Sequence, residues 1–481
     1  QQQFYASAMQ EAAAFPTKAW VVSAGGDAAR LHLFADLLNY HRIETHRLGR
    51  EMSMNGVTFS PEESLVIPTA QPQFRLIRSL FETLREFEDS TFYDVSTWTM
   101  PAAFGLQSAA LGRRDARGDV VGESFTPPVP SAAAPASSSY GYIFEWDAYY
   151  APRALQRVLE AGVLASVATK PFTALTDAGP MEMERGAIFV TLDRQERSRE
   201  DILAVMRRIA ADDGIAVHSV VSGRSAVGTA GVDLGGPSFV PVKQPNALLV
   251  VGRGINLYDA GEVWHLLDYR MDMPLTLRDR DRLSDIEWSK YTHIIFPAGD
   301  YEEYAPEFTD RLRLWVAEGG TLIGMRSAAP WVRANTLDWI DPESEEALLA
   351  VAEDEEEEEP VARLPYADKS RTEADKVVGG AIFSADLDNT HPLGFGYDRR
   401  AIFLHKNFKE PMEPTDNPWA AVITYDEEPA YSGFVSQDNE EALGGTPALI
   451  AERAGNGTIV LFADNPNFRG YWYGTNKLFL N

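Results

Sequence analysis

The sequence predicts an α/β fold of several domains, with mostly parallel sheets covered by helices. Short apolar runs that end at glycine or proline, such as residues 19–24 and 246–252, are typical of buried strands. Segments with apolar side chains at helical spacing, such as residues 27–41, follow these runs. Strands that alternate with helices usually form a parallel sheet with helices on both faces, so the alternation predicts this architecture.

The first part of the chain, residues 1–240, is predicted to be an α/β region in two sub-units. Asp27 can cap the helix over residues 27–41, and Pro72 can open a second helix over residues 72–87. Further helices are predicted at 151–161 and 199–211, and strands at 43–48, 64–69, 142–146, 163–168, 187–192 and 215–221. Residues 109–140 are rich in Pro, Ala, Ser and Gly, which predicts a flexible linker between the two sub-units.

The second part, residues 243–481, is predicted to be one further α/β domain. Its elements are predicted strands at 246–252, 292–296 and 321–325, helices at 260–267 and 305–318, and a hairpin of 447–451 with 458–463. Residues 342–359 are strongly acidic and repel one another, which predicts a mobile surface insertion. A calcium-binding strip is the alternative for this acidic segment.

Composition limits the function classes. Asp and Glu number 71 against 43 Lys and Arg, which gives a formal net charge of −28 and disfavours nucleic acid as a partner. No apolar run approaches the roughly 20 residues that a membrane span needs. The chain has no cysteine, which excludes disulfides, thiolate metal sites and cysteine nucleophiles. It opens at Gln1 with neither an initiator Met nor a signal peptide, so we expect a processed or partial chain.

The sequence contains the beginnings of three catalytic or cofactor-binding motifs, and each lacks a residue that the motif requires. The His-x-x-Glu pair at residues 41–44 has no recognisable third zinc ligand. Residues 223–227 (GRSAV) lack the last glycine of a serine-hydrolase elbow, and residues 252–254 (GRG) lack the third glycine of a dinucleotide-binding turn. These motifs therefore predict a helix end and two loops rather than active sites.

One loop and several aromatic side chains could either bind a ligand or serve only the structure. Asp386, Asp388 and His391 are the weak metal-ligand candidates of the chain, and an Asx turn before Pro392 is the alternative. Trp264 and Trp472, with Arg469 nearby in sequence, fit stacking on sugars or peptides and capture of a carboxylate. Core packing and a structural ion pair are the alternatives for these residues.

Several short motifs follow one another in order along the chain. They are residues 66–72 (VIPTAQP), 92–98 (FYDVSTW), 232–235 (VDLG), 260–264 (AGEVW), 389–397 (NTHPLGFGY), 465–470 (NPNFRG) and 474–481 (GTNKLFLN). In this order the chain resembles the region downstream of the catalytic domain in large bacterial members of the carboxypeptidase-A-type zinc peptidase family. The resemblance covers nearly the whole chain and rests on the order of motifs that are each weak alone.

The resemblance implies an exported, extracytoplasmic bacterial protein whose separate N-terminal zinc domain hydrolyses peptides. None of the residues that hold zinc or act on substrate in that domain maps onto this chain, so the resemblance implies no zinc and no catalytic residue here. It also implies that the second part is a flavodoxin-like domain of the class I glutamine-amidotransferase type. Expected partners are the chain's own N-terminal zinc peptidase domain and a peptide or glycan.

Active amidotransferases of that class place a catalytic cysteine at a tight turn from strand to helix. The matching place here is residues 325–328 (MRSA), where Arg326 and Ser327 stand instead. Without a thiol, the domain is expected to be catalytically silent. The predicted ligand-binding residues are therefore Ser327, Arg326, His391, Arg469 and Trp472.

Three functional hypotheses follow. The first is a non-catalytic accessory portion of an exported zinc metallocarboxypeptidase, which supports the zinc domain or binds substrate. The second is a free-standing, two-lobed extracytoplasmic protein that closes on a solute or glycan around residue 242. The third is an enzyme that uses Ser327 or the loop from Asp386 to His391.

Overall fold

The computed structural model of the protein describes residues 2–87, 95–225, 232–302, 304–339 and 365–481. Three sheets of five, seven and nine strands follow one another along these residues, together with a two-stranded hairpin. The acidic segment 342–359 and residues 92–94 lie outside the described residues. Within the described ranges, no helix is both long enough and apolar enough to cross a bilayer. The predicted α/β class is confirmed, but most strand pairs are antiparallel.

The first unit is a five-stranded sheet in the order β6-β1-β5-β2-β7, with every neighbouring pair antiparallel. Its elements are α1 (Gln2–Ala14), β1 (Thr17–Ser23), α2 (Ala28–Tyr40), β2 (His46–Leu48), the hairpin β3 (Met52–Met54) and β4 (Val57–Phe59), β5 (Ser64–Pro68), α3 (Phe74–Phe81), α4 (Met100–Ala103), β6 (Gln107–Gly112) and β7 (Val121–Ser124). Asp27 caps α2 as predicted, because its Oδ1 accepts from Ala29 N at 3.1 Å and from Arg30 N at 3.2 Å.

Strand β1 shows why the prediction of parallel sheets was wrong for this unit. Trp20 and Val22 pack on the side of the helices, whereas Ala19 and Val21 pack on the opposite side with Phe59 of the hairpin. Both faces of the strand are therefore buried, and its sequence is a continuous apolar run. Such a run is typical of a parallel strand, but an antiparallel strand that is covered on both faces produces it too.

The predicted flexible linker at 109–140 is only partly irregular. Most of β6 and all of β7 lie inside it and belong to the first sheet, so the prediction was wrong for these residues. The remainder is held by long-range hydrogen bonds, such as those of Phe125 N to Thr45 O at 2.8 Å and Ser138 Oγ to Val220 O at 2.6 Å. Composition indicates irregular backbone, but it cannot reveal such distant partners.

The second unit is a seven-stranded, fully antiparallel sheet in the order β11-β10-β13-β8-β12-β9-β14. Its elements are β8 (Gly141–Phe144), α5 (Ala151–Glu160), β9 (Ala165–Ala168), β10 (Phe172–Thr176), β11 (Gly179–Met183), β12 (Ile188–Thr191), α6 (Arg199–Asp213), β13 (His218–Ser222) and β14 (Phe239–Val242). Strands β8 and β9 are joined by α5 but separated by β12, and β12 and β13 are joined by α6 but separated by β8. These two interleaved split β-α-β units form a ferredoxin-like arrangement.

The third unit is the nine-stranded sheet, in the order β16-β15-β17-β18-β23-β22-β21-β19-β20. Its strands are β15 (Ala247–Val251), β16 (Leu275–Asp279), β17 (His293–Phe296), β18 (Thr321–Met325), β19 (Ala381–Leu387), β20 (Ala401–Lys406), β21 (Ala421–Ser432), β22 (Pro447–Ala454) and β23 (Gly457–Phe462). Its helices are α7 (Leu257–Trp264), a π-helical turn (His265–Arg270), α8 (Pro306–Ala317), α9 (Ala328–Ala334), α10 (Lys369–Asp375), α11 (Gln437–Leu443) and α12 (Asn476–Leu480).

Only half of this third sheet is parallel. Strands β16, β15, β17, β18 and β23 pair in parallel, and their order along the sheet is the 2-1-3-4-5 order of flavodoxin-like folds. The other four strands, β22, β21, β19 and β20, continue the sheet in antiparallel pairs. The prediction of parallel strands therefore holds for this one half of one sheet.

The segment 465–481 joins the three units. The ring of Tyr473 stacks on Phe104 of the first unit with centroids 4.5 Å apart, and it contacts the ring of Tyr149 of the second unit at 5.2 Å. Arg270 of the π-helical turn lies over the same ring, 4.3 Å from its centroid. One half-buried aromatic side chain of the third unit thus contacts both other units.

Polar contacts extend this junction. Lys477 is buried, and its Nζ donates to the backbone oxygens of Trp146, at 2.8 Å, and of Asp147. Trp146 Nε1 in turn donates to Asn481 Oδ1 at 2.6 Å. Burial lowers the pKa of Lys477 to about 8, so the backbone oxygens hold an ammonium group that is costly to bury.

We predict that Tyr473→Ala lowers the free energy of unfolding by roughly 2–4 kcal/mol, because it leaves a cavity where an aromatic ring contacts two units. Urea unfolding followed by tryptophan fluorescence measures the change. Tyr40→Ala is the matched control, since Tyr40 is 82% exposed, and it should alter stability by less than about 0.5 kcal/mol. Equal losses in the two variants would contradict a special role of Tyr473.

Candidate functional site

The carboxyl ends of the parallel strands form the first candidate region, because ligands of such sheets bind beside the switch in strand order. Here the switch lies between β15 and β17, where the chain's own loops meet. Ile255 and Gly299 form an isolated bridge, and Asp300 N donates to Gly254 O at 3.0 Å. The glycine-containing turn after β15 is therefore closed by backbone contacts, and Gly254 adopts the left-handed φ of 80° that this approach requires.

The turn after β18 is a strained elbow occupied by arginine. Arg326 has a left-handed φ of 51°, and its backbone N donates to Phe462 O at 2.8 Å. Such a conformation is costly for a residue other than glycine and is often found at functional sites. Ser327 follows with an ordinary φ, and its Oγ accepts from Gly299 N at 3.0 Å. Of the two predicted residues, Arg326 takes the elbow position, while Ser327 ties the elbow to the loop after β17.

A network of buried polar side chains surrounds the Arg326 guanidinium. Its Nη1 lies 2.9 Å from Oδ2 of Asp259, a residue of α7 that is 4% exposed. The other oxygen of Asp259 accepts from Asn465 Nδ2 at 3.1 Å, and this amide also donates to Glu262. Glu262 Oε1 then accepts from Arg469 N at 2.7 Å. The network joins α7, the elbow and the loop after β23.

Burial gives this network an unusual titration. Burial, reinforced by the neighbouring Asp259 carboxylate, raises the pKa of Glu262 to about 7, whereas the Arg469 backbone N–H opposes the shift. Sequence analysis missed Asp259, Glu262 and Asn465. Asp259 and Glu262 lie about 200 residues from Asn465 in the chain, so only the folded sheet brings them together.

A cavity of about 280 Å³ adjoins the elbow between α9 and residues 408–413. Arg326 borders it, and its buried Nε has no hydrogen-bond partner among the residues that the structure describes. Phe408 and Met412 supply apolar walls, and Arg333 at the rim is paired with Asp338 at 2.6 Å. The Arg326 guanidinium, paired with Asp259, therefore borders a largely apolar recess.

Exposed apolar side chains cover the outer side of α7 and its π-helical turn, and we call them the α7 surface. They are Leu257 (65% exposed), Tyr258 (84%), Trp264 (41%) and Tyr269 (71%). A side chain at Gly261, which lies among them, would meet no atom within 4 Å, so the surface is open there. Short π-helical turns are frequently found at functional sites.

The exposed residue Arg469 lies next to the α7 surface. Its backbone N is bonded to Glu262, two residues before Trp264, and a Cβ at Gly470 would come within 3.4 Å of His265 Nδ1. The structure thus brings together Trp264 and Arg469, which the sequence named separately.

Trp472 does not join this surface. It is 1% exposed, its ring packs against His405, and its Nε1 points at Phe403 O at 3.4 Å. This burial argues against the predicted role of Trp472 in ligand binding, because its position between the first unit and β20 makes it a packing residue. The sequence shows a cluster of aromatic residues near the end of the chain, but it does not show which of the rings are exposed and which are buried.

The loop from Asp386 to His391 is held by its own contacts. Asp388 Oδ1 accepts from Thr390 N at 2.9 Å in an Asx turn, and Asp386 Oδ1 accepts from Arg400 Nε at 2.8 Å. His391 Nδ1 accepts from Leu393 N at 3.1 Å. Among the residues that the structure describes, no three His, Asp or Glu side chains cluster closely enough to hold a metal ion.

His391 and Ser327 lie near opposite ends of strand β18. Ser327 follows its carboxyl end, whereas His391 lines the same cavity as Thr321, the first residue of the strand. A strand of five residues separates the two ends by roughly 13 Å. The structure therefore does not bring these two predicted residues into one catalytic arrangement.

We predict that the free energy of unfolding falls as pH rises from about 4.5 to 7, because Glu262 loses its proton over this interval. Its folded pKa is above the ordinary value of 4.5, so the folded state binds more protons over this interval and loses stability as they leave. Urea unfolding should show that the free energy of unfolding decreases between pH 5 and 8 by roughly 2 kcal/mol less in Glu262→Gln than in the parent chain. The exposed Glu160→Gln is the control and should keep the parental slope. A parental slope in Glu262→Gln would refute the assignment.

Comparisons with known proteins give weak similarities only. No family model and no curated protein match the chain. A putative ThuA-like protein from Bacteroides uniformis is similar at 13% identity over 49% of this chain and 88% of that chain, with a TM-score of 0.29. The beta-galactosidase from Bacillus circulans sp. alkalophilus is similar at 15% identity over 49% of this chain, with a TM-score of 0.26, and the match spans 30% of that protein. Similarities this weak carry no inference about this chain.

Proposed function

We propose that this chain is a non-catalytic accessory region of an exported carboxypeptidase-A-type zinc metallopeptidase, and that its α7 surface binds peptide substrate. The observation that carries the proposal is the open row of exposed aromatic side chains beside Arg469. The family resemblance of the ordered sequence motifs supplies the peptidase context.

The elbow supports a role without catalysis. The turn where amidotransferases of this class carry a cysteine corresponds to residues 325–328, and the elbow position there is taken by Arg326, whose guanidinium pairs with Asp259. The hydroxyl of Ser327 is bonded to Gly299, and the chain contains no cysteine to act as a nucleophile. Zinc in such peptidases belongs to the separate N-terminal domain.

The α7 surface supports peptide binding. Exposed Tyr and Trp rings offer flat apolar faces to peptide side chains at a small cost in conformational entropy. The nearby Arg469 is exposed, and a guanidinium is well suited to bind a carboxylate through two parallel hydrogen bonds. Substrates of a carboxypeptidase carry a free terminal carboxylate, so Arg469 and Trp264 fit the last residues of such a peptide.

The alternative of two lobes that close on a solute is less well supported. Its hinge would lie near residue 242, between the second and third units. Tyr473 and Lys477 bridge these units through a ring contact at 5.2 Å and a buried hydrogen bond at 2.8 Å. A closing motion would break both contacts, so a fixed binding surface is the better account.

We predict that the chain binds a peptide with a free carboxyl end, such as Ala-Ala-Phe-Phe, more tightly than its C-terminal amide. Arg469→Gln should weaken binding of the acid by about tenfold and leave the amide unaffected, since a hydrogen bond to a charged group contributes roughly 1.5–3 kcal/mol. Trp264→Ala should weaken both peptides. Isothermal titration calorimetry measures the six affinities of the three proteins for the two peptides.

Two substitutions serve as matched controls for this experiment. Arg194→Gln changes an arginine that is 90% exposed in the second unit, and Trp419→Ala changes a tryptophan that is 72% exposed away from α7. Both should bind the peptides as the parent does. Equal affinity of the parent for acid and amide would exclude Arg469 as a carboxylate site, and no binding of either peptide would overturn the proposal.

The accessory role has its own test. Peptide mapping of the protein from its native source should recover peptides that carry a His-x-x-Glu zinc motif in the same polypeptide as residues 1–481. A native polypeptide without such a domain would leave peptide binding possible but would refute the accessory role.

A further inference from the structure

An apolar cleft lies between the second and third units, and none of the four side chains of the α7 surface lines it. It has two connected chambers of about 430 and 280 Å³, which share Pro245, Met273, His293 and Leu480 among their lining residues. We call the larger one the sheet chamber and the smaller one the helix chamber. Their sizes are typical of pockets for small organic ligands.

The sheet chamber lies against one face of the parallel strands. Ile295 of β17, Ile323 of β18 and Val460 of β23 form its floor. Strands of a parallel sheet are ordinarily covered by helices on both faces. Here Leu478 and Leu480 of the short helix α12 cover only part of this face, which leaves the apolar floor open to the chamber.

The helix chamber is formed by a second apolar stripe of α5. Ala151, Ala154 and Val158 of this helix pack into the core of the second unit. Pro152, Leu155, Gln156 and Leu159 instead line the chamber. These positions follow the i, i+3, i+4, i+7 spacing of one helical face, so α5 has one side in a core and a neighbouring side on the cleft.

Gln156 is the unusual residue of this wall. It is 2% exposed, and its Oε1 has no hydrogen-bond partner among the residues that the structure describes. A buried polar group without a partner costs about 1–3 kcal/mol. The terminal torsion of glutamine turns easily, so its amide can face a ligand in the chamber and make the missing hydrogen bond.

The interior of the cleft is uncharged. Burial lowers the pKa of His293 to about 4, so its imidazole is neutral at physiological pH, and its Nδ1 lies 2.7 Å from Thr292 Oγ1. The Asp, Glu, Lys and Arg side chains among the lining residues are Lys243, Glu452 and Arg453, and all three are solvent-accessible. An ionised ligand would therefore lose its hydration without gaining a buried counter-charge.

We propose that this cleft binds a small amphipathic molecule with an aliphatic body in the sheet chamber and a neutral hydrogen-bonding head group, an amide or an alcohol, beside Gln156. The apolar floor matches an aliphatic body, and the buried Gln156 Oε1, which has no partner among the described residues, matches a head group that donates a hydrogen bond. This site is separate from the proposed peptide surface, and neither depends on the other.

The test uses the 481-residue chain and the fluorescent probe N-phenyl-1-naphthylamine, whose emission rises in apolar sites. We expect saturable binding of one probe per chain, and displacement by decanamide at about one tenth of the concentration that decanoate needs. Gln156→Leu keeps the approximate size and removes the amide. It should still bind the probe saturably but lose the preference for decanamide over decanoate, with no fall in melting temperature.

A second variant and a control make the test decisive. Leu159→Trp narrows the helix chamber and should weaken decanamide binding about tenfold or more, whereas Gln437→Leu, on the exposed side of α11, should behave as the parent. Absence of saturable probe binding in the parent would overturn the proposal. So would parental decanamide preference in Gln156→Leu, or equal potency of decanoate and decanamide in the parent.

Discussion

The contact of the Tyr473 ring with Phe104 and Tyr149 is the constraint on which the arrangement of the three units depends. Arg270 lies over the same ring and donates to Gly470 O, so the ring also fixes the π-helical turn against the loop that carries Arg469. The α7 surface is therefore positioned by a junction on its inner side. The cleft between the second and third units depends on the same segment, because Leu480 lines both of its chambers. Two separate binding surfaces thus share one support.

The elbow after β18 is a strained turn whose arginine makes structural contacts. A left-handed residue other than glycine costs on the order of 1–3 kcal/mol and persists only where its surroundings hold it. Here the holding contacts are the hydrogen bond from the Arg326 backbone to Phe462 and the ion pair with buried Asp259. Arg326 binds α7 to the sheet from this position, so the strained turn serves as a joint between the sheet and the exposed aromatic surface.

The sequence pattern predicted those features well that depend only on residues within one strand or helix. Strand β18 has the predicted bounds, and Asp27 caps α2 because capping is a property of neighbouring residues. Strand direction was not predictable from β1, since coverage by helices on one face and by a hairpin on the other produces the apolar run of a parallel strand. The same distinction applies to the candidate site, where some residues were predicted and others were not. Arg469 was named from local sequence and Arg326 from the family resemblance, whereas Asp259 and Glu262 acquire their roles from contacts with Asn465, which only the completed sheet supplies.

The place of β23 in the nine-stranded sheet has a consequence for biosynthesis. This strand pairs in parallel with β18 on one side and antiparallel with β22 on the other, so it joins the two halves of the sheet. Its residues are synthesised more than 130 positions after those of β18. Until they leave the ribosome, β18 and β22 both present unpaired edges, which are templates for association with other chains. Nascent or prematurely terminated chains that lack residues 457–462 are therefore the aggregation-prone species of this protein, and chaperones that shield strand edges would act on them.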